Sequence, residues 1–345
     1  MINVGIAGIG FMGWIHWLAY KKVGGIRVAA VSSRDPQRRS GDWRNIKGNF
    51  GPPGEQVDLT GVRAFERLEA MLLDPSIDVI DLCLPPHLHE EATLLALAAG
   101  KHVFCEKPLA LTEDACVRMV DAARKANRQL FAGHVLPFVP EYAEARRLIA
   151  EGRYGKLLGG WFKRVISDPS WLPDFYDPAR VGGPLLDLHV HDAHLIRLLF
   201  GMPTSVTCQG RRRGKVAEYC QTMFRFPDRS LVVGAASGVV NQQGRAFTHG
   251  FEIHLERATL QYEFAVIGGQ GRQILPLTIY DDQGQALQPS LGDGDPILAF
   301  EGEIAEIIKS VESNRPSPIL SGDLARDAVA LCRMQEEAVR EGTPA

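Results

Sequence analysis

Two short motifs carry side chains that can hold or move a proton. Glu106-Lys107-Pro108 directly follows the apolar run His102–Cys105, and the predicted helix 184–199 carries Asp187 and His191. Functional groups of open α/β sheets gather beyond the carboxyl ends of the strands, which is where Lys107 is expected. Residues four apart share one face of a helix, so Asp187 and His191 are expected side by side. Because histidine titrates near neutral pH, the pattern favours acid–base chemistry.

The same helix contains two further histidines, which raises the question of a metal site. His194 falls close to the face of Asp187 and His191, whereas His189 points elsewhere. Asp187 is the only carboxylate that the spacing places beside these rings, so we expect no metal there. His194 is expected to contact a substrate or to pair with Asp187.

A glycine-rich turn at the start of the chain predicts where a dinucleotide binds. It follows the apolar run Ile2–Ala7, a predicted buried strand, and precedes a predicted helix that starts near Trp14. A G-x-G-x-x-G turn in this context lets backbone N–H groups and a helix N-terminus approach a pyrophosphate. The expected cofactor-binding residues of the turn are Gly8, Gly10, Phe11, Met12 and Gly13.

The end of the second predicted strand bears on the choice between NAD and NADP. Ser33 and Arg34 occupy the place where an acid would bind the adenosine ribose, and arginine can bind a 2′-phosphate bidentately. Asp35 could be that acid, but Asp35-Pro36 is also typical of a helix start with Asp as the N-cap. The sequence therefore favours NADP, with NAD as the alternative, and with Ser33 and Arg34 as cofactor-binding residues.

The fold class follows from the way apolar runs alternate with helical patterns. Up to residue 133 this alternation predicts parallel βαβ units, and hence an α/β Rossmann domain over residues 1–133. The stretch 41–60 is polar and rich in Gly and Pro, which predicts an irregular surface insertion. Predicted strands are Ile2–Ala7, Arg27–Ser32, Val79–Leu84, His102–Cys105 and Gln129–Gly133, and predicted helices are His89–Ala99 and Glu113–Ala126 with Thr112 as N-cap.

Residues 134–345 have the pattern of an α+β domain. Helical periodicity at 142–151 and 184–199 frames a strand at Leu157–Ile166, and alternation through 205–280 is typical of antiparallel strands. We expect an open, predominantly antiparallel sheet that binds substrate and mediates oligomerisation. The last predicted helices, 297–313 and 321–340, are candidates to pack back on the first domain.

Composition narrows the function classes further. A net charge of −3 provides no basic field for nucleic acid or an anionic membrane. No apolar run approaches the roughly 20 residues of a membrane span, and no signal peptide precedes the first strand. Six scattered cysteines fit reduced thiols. We therefore expect a cytoplasmic protein that binds neither nucleic acid nor membrane, and a homodimer or homotetramer formed through the C-terminal sheet.

Together these motifs resemble the glucose–fructose oxidoreductase / inositol dehydrogenase / rhizopine-catabolism (Gfo/Idh/MocA) family. The resemblance runs from Ile2 to about Gly342. It rests on four motifs: the glycine turn followed by His16, Glu106-Lys107-Pro108, the Gly182-Gly183…Asp187-x-x-x-His191 segment, and Leu84–His89, which looks like the family's Pro-x-x-x-His stretch. His16 itself is expected to be structural.

The resemblance implies that a lysine, an aspartate and a histidine act on a substrate hydroxyl beside the nicotinamide, at Lys107, Asp187 and His191. Oxidising a secondary alcohol needs a base for the O–H proton, and His191 fits that role, or the role of acid in reduction. Lys107 is expected to donate a hydrogen bond to the developing alkoxide, and Asp187 to hold both partners in place. The family also implies a cis Lys107–Pro108 bond, against about 5–6% of X-Pro bonds in general.

Further positions are expected to contact the cofactor or the substrate. A structural alternative stays open for most of them. His87 and His89 could instead begin a helix, and Glu106 could cap the local backbone. Lys163 could lie on a solvated face, and Trp171 could anchor an interface. His134 stands where many relatives carry a polar Asn-Arg pair, which argues against a phosphorylated or carboxylated substrate. The cofactor positions are Leu84, Pro85, His87, His89, Glu106 and Lys107, and the substrate positions are Lys107, His134, Lys163, Trp171, Asp187, His191 and His194.

The sequence thus predicts an NAD(P)-dependent oxidoreductase that acts on a secondary alcohol or ketone of a sugar, cyclitol or related polyol. One alternative is a glycosidase or epimerase of the same fold that recycles a tightly bound NAD internally. A second alternative is a non-catalytic dinucleotide-binding regulator, which the joint presence of Lys107, Asp187 and His191 disfavours.

Overall fold

Six parallel strands in the order β3-β2-β1-β4-β5-β6 form the sheet of the N-terminal part of the chain. The order reverses between β1 and β4, so ligands of such a doubly wound sheet bind beyond the carboxyl ends of these two strands. This sheet confirms the predicted Rossmann fold. The strands are β1 (Ile2–Ala7), β2 (Ile26–Ser32), β3 (Arg63–Phe65), β4 (Val79–Leu82), β5 (His102–Glu106) and β6 (Leu130–Gly133).

The computed structural model describes residues 1–170, 172, 174–292 and 294–342. The helices between the strands start and end where local sequence signals place them. Helix α5, for example, starts after Thr112, whose hydroxyl accepts the Ala115 N–H, and ends at Asn127, which has a positive φ of 51°. These helices are α1 (Phe11–Tyr20), α2 (Pro36–Arg39), α3 (Leu68–Leu72), α4 (His89–Ala98) and α5 (Glu113–Ala126).

The stretch 41–60 is irregular, as predicted, but it is not confined to the surface. Trp43 is fully buried and packs edge-on against Trp14 and Trp17 of α1, with ring centroids 6.0 and 5.1 Å away. The Trp43 indole N–H donates to the carbonyl of Arg38 at 2.7 Å. A single large aromatic side chain therefore anchors the segment to the core that supports the glycine turn.

Eight strands form a second sheet in the order β14-β13-β12-β11-β7-β10-β9-β8. β7 and β10 are parallel, and the other neighbours are antiparallel, which confirms the predicted open and largely antiparallel sheet. The strands are β7 (Leu157–Ile166), β8 (Ser205–Arg213), β9 (Val216–Arg225), β10 (Val232–Val239), β11 (Arg245–Leu255), β12 (Ala258–Ile267), β13 (Gln270–Asp281) and β14 (Ala286–Leu287).

The two faces of this sheet differ. Phe162 of β7 packs against Phe200 at the end of α7 (Val190–Phe200), and Phe251 of β11 contacts Tyr142 of α6 (Pro140–Ala150). Side chains alternate along a strand, so Trp161 lies on the opposite face, where it is 39% exposed. One face is thus the core, and the other carries exposed apolar side chains.

The chain crosses between the two compact units more than once. The first unit comprises Met1–Val139 and Gly294–Arg326, and the second comprises Pro140–Asp293 and Asp327–Ala345. The expected boundary at residue 133 therefore moves to Val139. Of the last two helices, α8 (Ile297–Ser313) belongs to the first unit, whereas α9 (Gly322–Gly342) is divided between the two units at residue 326.

Helix α8 belongs to the first unit because its apolar face is buried there. Phe300, Ile304 and Ile307 are buried in the core cluster that also contains Trp14 and Ile15 of α1. No helix of the described residues is both long enough and apolar enough to cross a membrane.

Candidate active site

The glycine turn between β1 and α1 has the geometry that a pyrophosphate site requires. Gly8 has a φ of +97°, and a Cβ there would collide with the Cys83 carbonyl; a Cβ on Gly13 would collide with the Gly8 carbonyl. Gly10 is the N-cap of α1, and a Cβ added to it would meet no atom within 4 Å. The first N–H groups of a helix have no intrahelical acceptor, so they are available to an anion beside Gly10. The turn fits a dinucleotide.

The end of β2 carries several arginines around a helix start. The Asp35 carboxylate accepts the Gln37 N–H at 2.9 Å, so Asp35 is the N-cap of α2, as the N-cap interpretation predicted. Arg38 donates to the Ile9 carbonyl in the glycine turn, and Arg39 donates to the Ser33 carbonyl at 2.7 Å. Arg34 is exposed. The carboxylate at this edge is thus engaged locally, while guanidinium groups surround it.

His87 and His89 differ in their suitability as ligands. His89 is fully buried, and its ring nitrogens lie 2.8 Å from the carbonyl oxygens of Pro108 and Leu84. Burial lowers the pKa of His89, and these two contacts only partly offset that effect. His89 therefore joins the loop after β4 to the loop after β5, and it is the first residue of α4, in line with the helix-start alternative. His87 is exposed in the short 3-10 turn Pro86–Leu88.

Lys107 follows β5 in a loop with a cis Lys107–Pro108 bond, as the resemblance implied. The Lys107 N–H donates to the Glu106 carboxylate at 3.0 Å, which agrees with the backbone-capping alternative for Glu106. His134 lies directly after β6, and its side chain is fully buried. Because the carboxyl ends of parallel strands lie at one edge of the sheet, the first unit brings Lys107, Glu106 and His134 to the same edge as the glycine turn.

The predicted helix 184–199 is two segments. Leu185–His189 is a π-helical turn, and α7 follows from Val190. Single π turns are rare and are often found at functional sites. Asp187 lies inside the turn, and both Asp187 and His191 are partly exposed, whereas His189 and His194 are fully buried. The exposure of Asp187 and His191 fits their predicted role better than the burial of His194 fits a substrate contact.

A buried ion pair fixes α7 on the sheet. The Arg164 guanidinium of β7 donates to both carboxylate oxygens of Asp192, at 2.7 and 3.0 Å, and both side chains are buried. Burial alone lowers the pKa of Arg164, but the contacts with Asp192 and Tyr142 together outweigh it and raise the pKa. His189 Nδ1 lies 3.8 Å from the same carboxylate, and burial lowers the pKa of His189. Asp192 lies one residue after His191, so the ion pair holds the backbone that carries the candidate base.

Lys163, a predicted substrate residue, is not brought to this helix. Lys163 neighbours Arg164 along β7 and so lies on the opposite face of the sheet, where it pairs with Glu263 at 2.7 Å. Lys163 therefore lies on the face away from α7, because strand alternation and the ion pair with Glu263 of β12 determine the direction of its side chain. Trp171 lies outside the described residues.

A cluster of buried titratable side chains that no local motif predicted lies beneath the Lys107 loop. His16 of α1 contacts Asp81 of β4 at 2.8 Å and Glu106 of β5 at 3.1 Å, and Glu303 of α8 is within electrostatic reach of all three. Its members come from distant parts of the sequence, so no local spacing reveals them. The available signals were single acids at apolar positions: Asp81 within a buried strand and Glu303 on the apolar face of α8.

Comparison with known proteins identifies the family. The family model for the N-terminal domain of the GFO_IDH_MocA family, described as "Oxidoreductase family, NAD-binding Rossmann fold", matches residues 2–134. The model for the GFO/IDH/MocA C-terminal domain matches residues 142–261. Inositol 2-dehydrogenase 2 of Saccharopolyspora erythraea is 31% identical over 242 residues, which are 69% of this chain and 65% of that protein, just under two thirds of its length.

Two longer matches cover nearly the whole chain. Myo-inositol 2-dehydrogenase of Thermotoga maritima is 26% identical over 365 aligned positions, which cover 99% of this chain and 97% of that protein. The structure of a levoglucosan dehydrogenase in complex with NADH and L-sorbose superposes with a TM-score of 0.79 at 22% identity, over 99% of this chain and 97% of that chain. The chain belongs to the Gfo/Idh/MocA family of NAD-binding oxidoreductases, as its motifs predicted.

Proposed function

We propose that the protein transfers a hydride between a nicotinamide cofactor and a secondary alcohol or ketone of a sugar, cyclitol or related polyol. The observation that carries the proposal is the Glu106-Lys107 loop, which follows β5 at the same sheet edge as a glycine turn shaped for a dinucleotide. The substrate class is supported by the relatives that are named inositol dehydrogenases.

The roles follow from the chemistry of the side chains. The cofactor, when bound, accepts or supplies the hydride. His191 removes the hydroxyl proton during oxidation and returns it during reduction. Lys107 donates a hydrogen bond to the oxygen on which negative charge develops, and Asp187 orients these donors. The buried Arg164–Asp192 pair supports this assignment, because it holds the start of α7 next to His191.

The test is the absorbance of reduced nicotinamide at steady state over a panel of sugars and polyols. Net accumulation of reduced cofactor supports a dehydrogenase. Substrate conversion without accumulation would instead favour the glycosidase or epimerase that recycles its NAD. Cofactor binding without conversion of any panel member would favour the regulator.

NADP is the proposed preferred cofactor. Asp35 is engaged as an N-cap and pairs with Arg38 at 3.6 Å, so the adenosine edge offers guanidinium groups rather than a free carboxylate. Arg39 donates hydrogen bonds to the Ser33 and Arg34 carbonyls, which hold the loop in which the Arg34 side chain is exposed. Titration of the protein with NADPH and NADH compares the two affinities, and tighter binding of NADH would refute the preference.

A homodimer or homotetramer through the uncovered face of the second sheet is also proposed. Trp161, Met223 and Val232 are 39%, 45% and 63% exposed, and register and strand alternation place all three on the face opposite Phe162. Light scattering of the Trp161→Glu variant tests this interface, since a buried charge would dissociate the assembly.

The six free cysteines support the proposed cytoplasmic location.

A further inference from the structure

The His16 ring is held between two acidic side chains below the loop that carries Lys107. Its Nδ1 lies 2.8 Å from Asp81 and its Nε2 lies 3.1 Å from Glu106, the second contact at ion-pair distance but not aligned as a hydrogen bond. The ring also stacks on Phe104, with centroids 5.1 Å apart and planes 10° from parallel. His16 is fully buried, so neither contact is shared with solvent.

Glu106 connects this ring to the catalytic loop. One carboxylate oxygen faces His16, and the other accepts the Lys107 backbone N–H at 3.0 Å. The carboxylate lies against Gly133 of the neighbouring strand, where an added Cβ would come within 3.1 Å of it, so this position favours glycine. A change at His16 is therefore transmitted through one side chain to the backbone of Lys107.

The charges around the ring favour an imidazolium. Burial by itself lowers the pKa of His16, but contacts with Asp81 and Cys83 outweigh it and raise the pKa well above the usual value. Burial raises the pKa of Glu303 well above its usual range, which favours the neutral form of that carboxyl. Burial also raises the pKa of the Cys83 thiol, and Tyr20 donates its hydroxyl to Asp81 at 3.0 Å. Among the groups named here, His16 is the cation that compensates Asp81 and Glu106.

A metal ion is the other occupant that these side chains could suggest. His16, Asp81 and Cys83 place donor atoms within 4.8 Å of one another. However, Asp81 already accepts hydrogen bonds from His16 and Tyr20, and the Cys83 thiol donates to it at 3.4 Å. The internal hydrogen bonds of the cluster therefore occupy the positions that a metal would need.

We propose that His16 is a positioning residue for the proposed reaction: its imidazolium holds the Glu106 carboxylate, which in turn holds the Lys107 backbone. The kinetic part of this inference rests on the proposed function, whereas the structural part does not. The two parts are therefore tested by separate measurements.

The structural test is hydrogen exchange of the Lys107 amide in the full chain without cofactor. Overlapping peptides that differ in whether they contain Lys107 isolate this amide, and Pro108 adds no N–H of its own to the difference. In His16→Gln the exchange rate should rise about tenfold or more, because the acceptor loses its anchor. Glu106→Ala removes the acceptor itself and should give the upper limit of this rate. His102→Gln, the same substitution at the other end of β5, is the control and should leave it unchanged.

The kinetic test uses the substrate identified in the panel assay. His16→Gln should lower kcat about 10- to 100-fold through misplacement of Lys107, while the KM for the cofactor changes less than about threefold. The double variant with Glu106→Ala should be no slower than Glu106→Ala alone, because both act through one contact. Unchanged Lys107 exchange in His16→Gln, or additive kinetic losses, would overturn the inference.

The two failures are distinguishable. Absence of turnover by the wild type would count against the proposed function and leave the exchange experiment to decide on His16. If His16→Gln does not fold, Glu106→Ala still decides: unaltered Lys107 exchange in that variant would show that the carboxylate does not hold the loop and would overturn the inference.

Discussion

Glu303 offers a direct measurement of the buried charge balance in the first unit. Its side chain is fully buried on α8, and neither carboxyl oxygen has a hydrogen-bond partner among the described residues. Burial is the largest cause that raises the pKa of this carboxyl, Glu106 and Asp81 raise it further, and His16 partly offsets them. Glu303→Gln replaces a neutral acid with a neutral amide of nearly the same shape, so folding should persist.

The sign of the expected effect follows from proton binding. The folded protein keeps a proton on Glu303 that the unfolded chain releases above its ordinary pKa of 4.5. The stability that this group contributes is therefore full below that pH and is lost as the pH rises toward the folded pKa. Glutamine does not titrate, so the variant escapes this loss. The advantage of the variant should grow by up to about 1.4 kcal/mol per pH unit from pH 4.5 until the folded pKa is reached.

Thermal unfolding at several pH values measures this slope. For a unit of this size about 1 kcal/mol corresponds to 2–4 °C, so the Tm difference between variant and wild type should widen by up to about 3–6 °C per pH unit in that range. Glu312→Gln makes the same substitution at an exposed position of α8 and should give a small, pH-independent difference. Parallel Tm curves for Glu303→Gln and the wild type would refute the assignment of a neutral Glu303, and curves that converge with rising pH would indicate an ionised partner of His16.

Three further predictions concern the proposed site. Lys107→Ala should lower kcat about 10²- to 10³-fold, as the loss of a donor to developing charge does, while circular dichroism and cofactor affinity stay near the wild-type values; retained turnover would remove Lys107 from the mechanism. Asp192→Asn should lower the free energy of unfolding by about 3–5 kcal/mol, because Arg164 would be left buried without its counterion, and denaturant titration measures this. Arg34→Ala should weaken NADPH binding about tenfold with little effect on NADH, since a phosphate contact by arginine is lost; an equal loss for both cofactors would show that Arg34 does not read the 2′-phosphate.

Regular elements with strong local signals were predictable from the sequence. β1, α5, β7 and α8 have the predicted bounds, because each combines a consistent apolar pattern with a clear start or end, such as Thr112 before α5. β3 and α3 were missed, since Arg63–Phe65 and Leu68–Leu72 span only three and five residues, too few to show a period. Such short elements are stabilised by packing against neighbouring elements rather than by a sequence pattern of their own.

Lys107, Asp187 and His191 stay predictions of the sequence motifs, whereas the local geometry of the candidate site is now described. Spacing along the chain predicts an ideal helix where the chain forms a π turn at Leu185–His189. That turn depends on packing, which spacing along the chain does not reveal. The same holds for His16, whose partners Asp81, Glu106 and Glu303 meet only in the folded unit.

The return of α8 to the first unit has a consequence for synthesis on the ribosome. Phe300, Ile304 and Ile307 complete the core around α1, but the whole of Pro140–Asp293 must be translated before they emerge. At about 5–20 residues per second, this leaves the apolar face of α1 uncovered for roughly 8 to 30 seconds. The nascent chain therefore exposes a hydrophobic surface that a chaperone could cover, and a fragment ending at Val139 should be prone to aggregation.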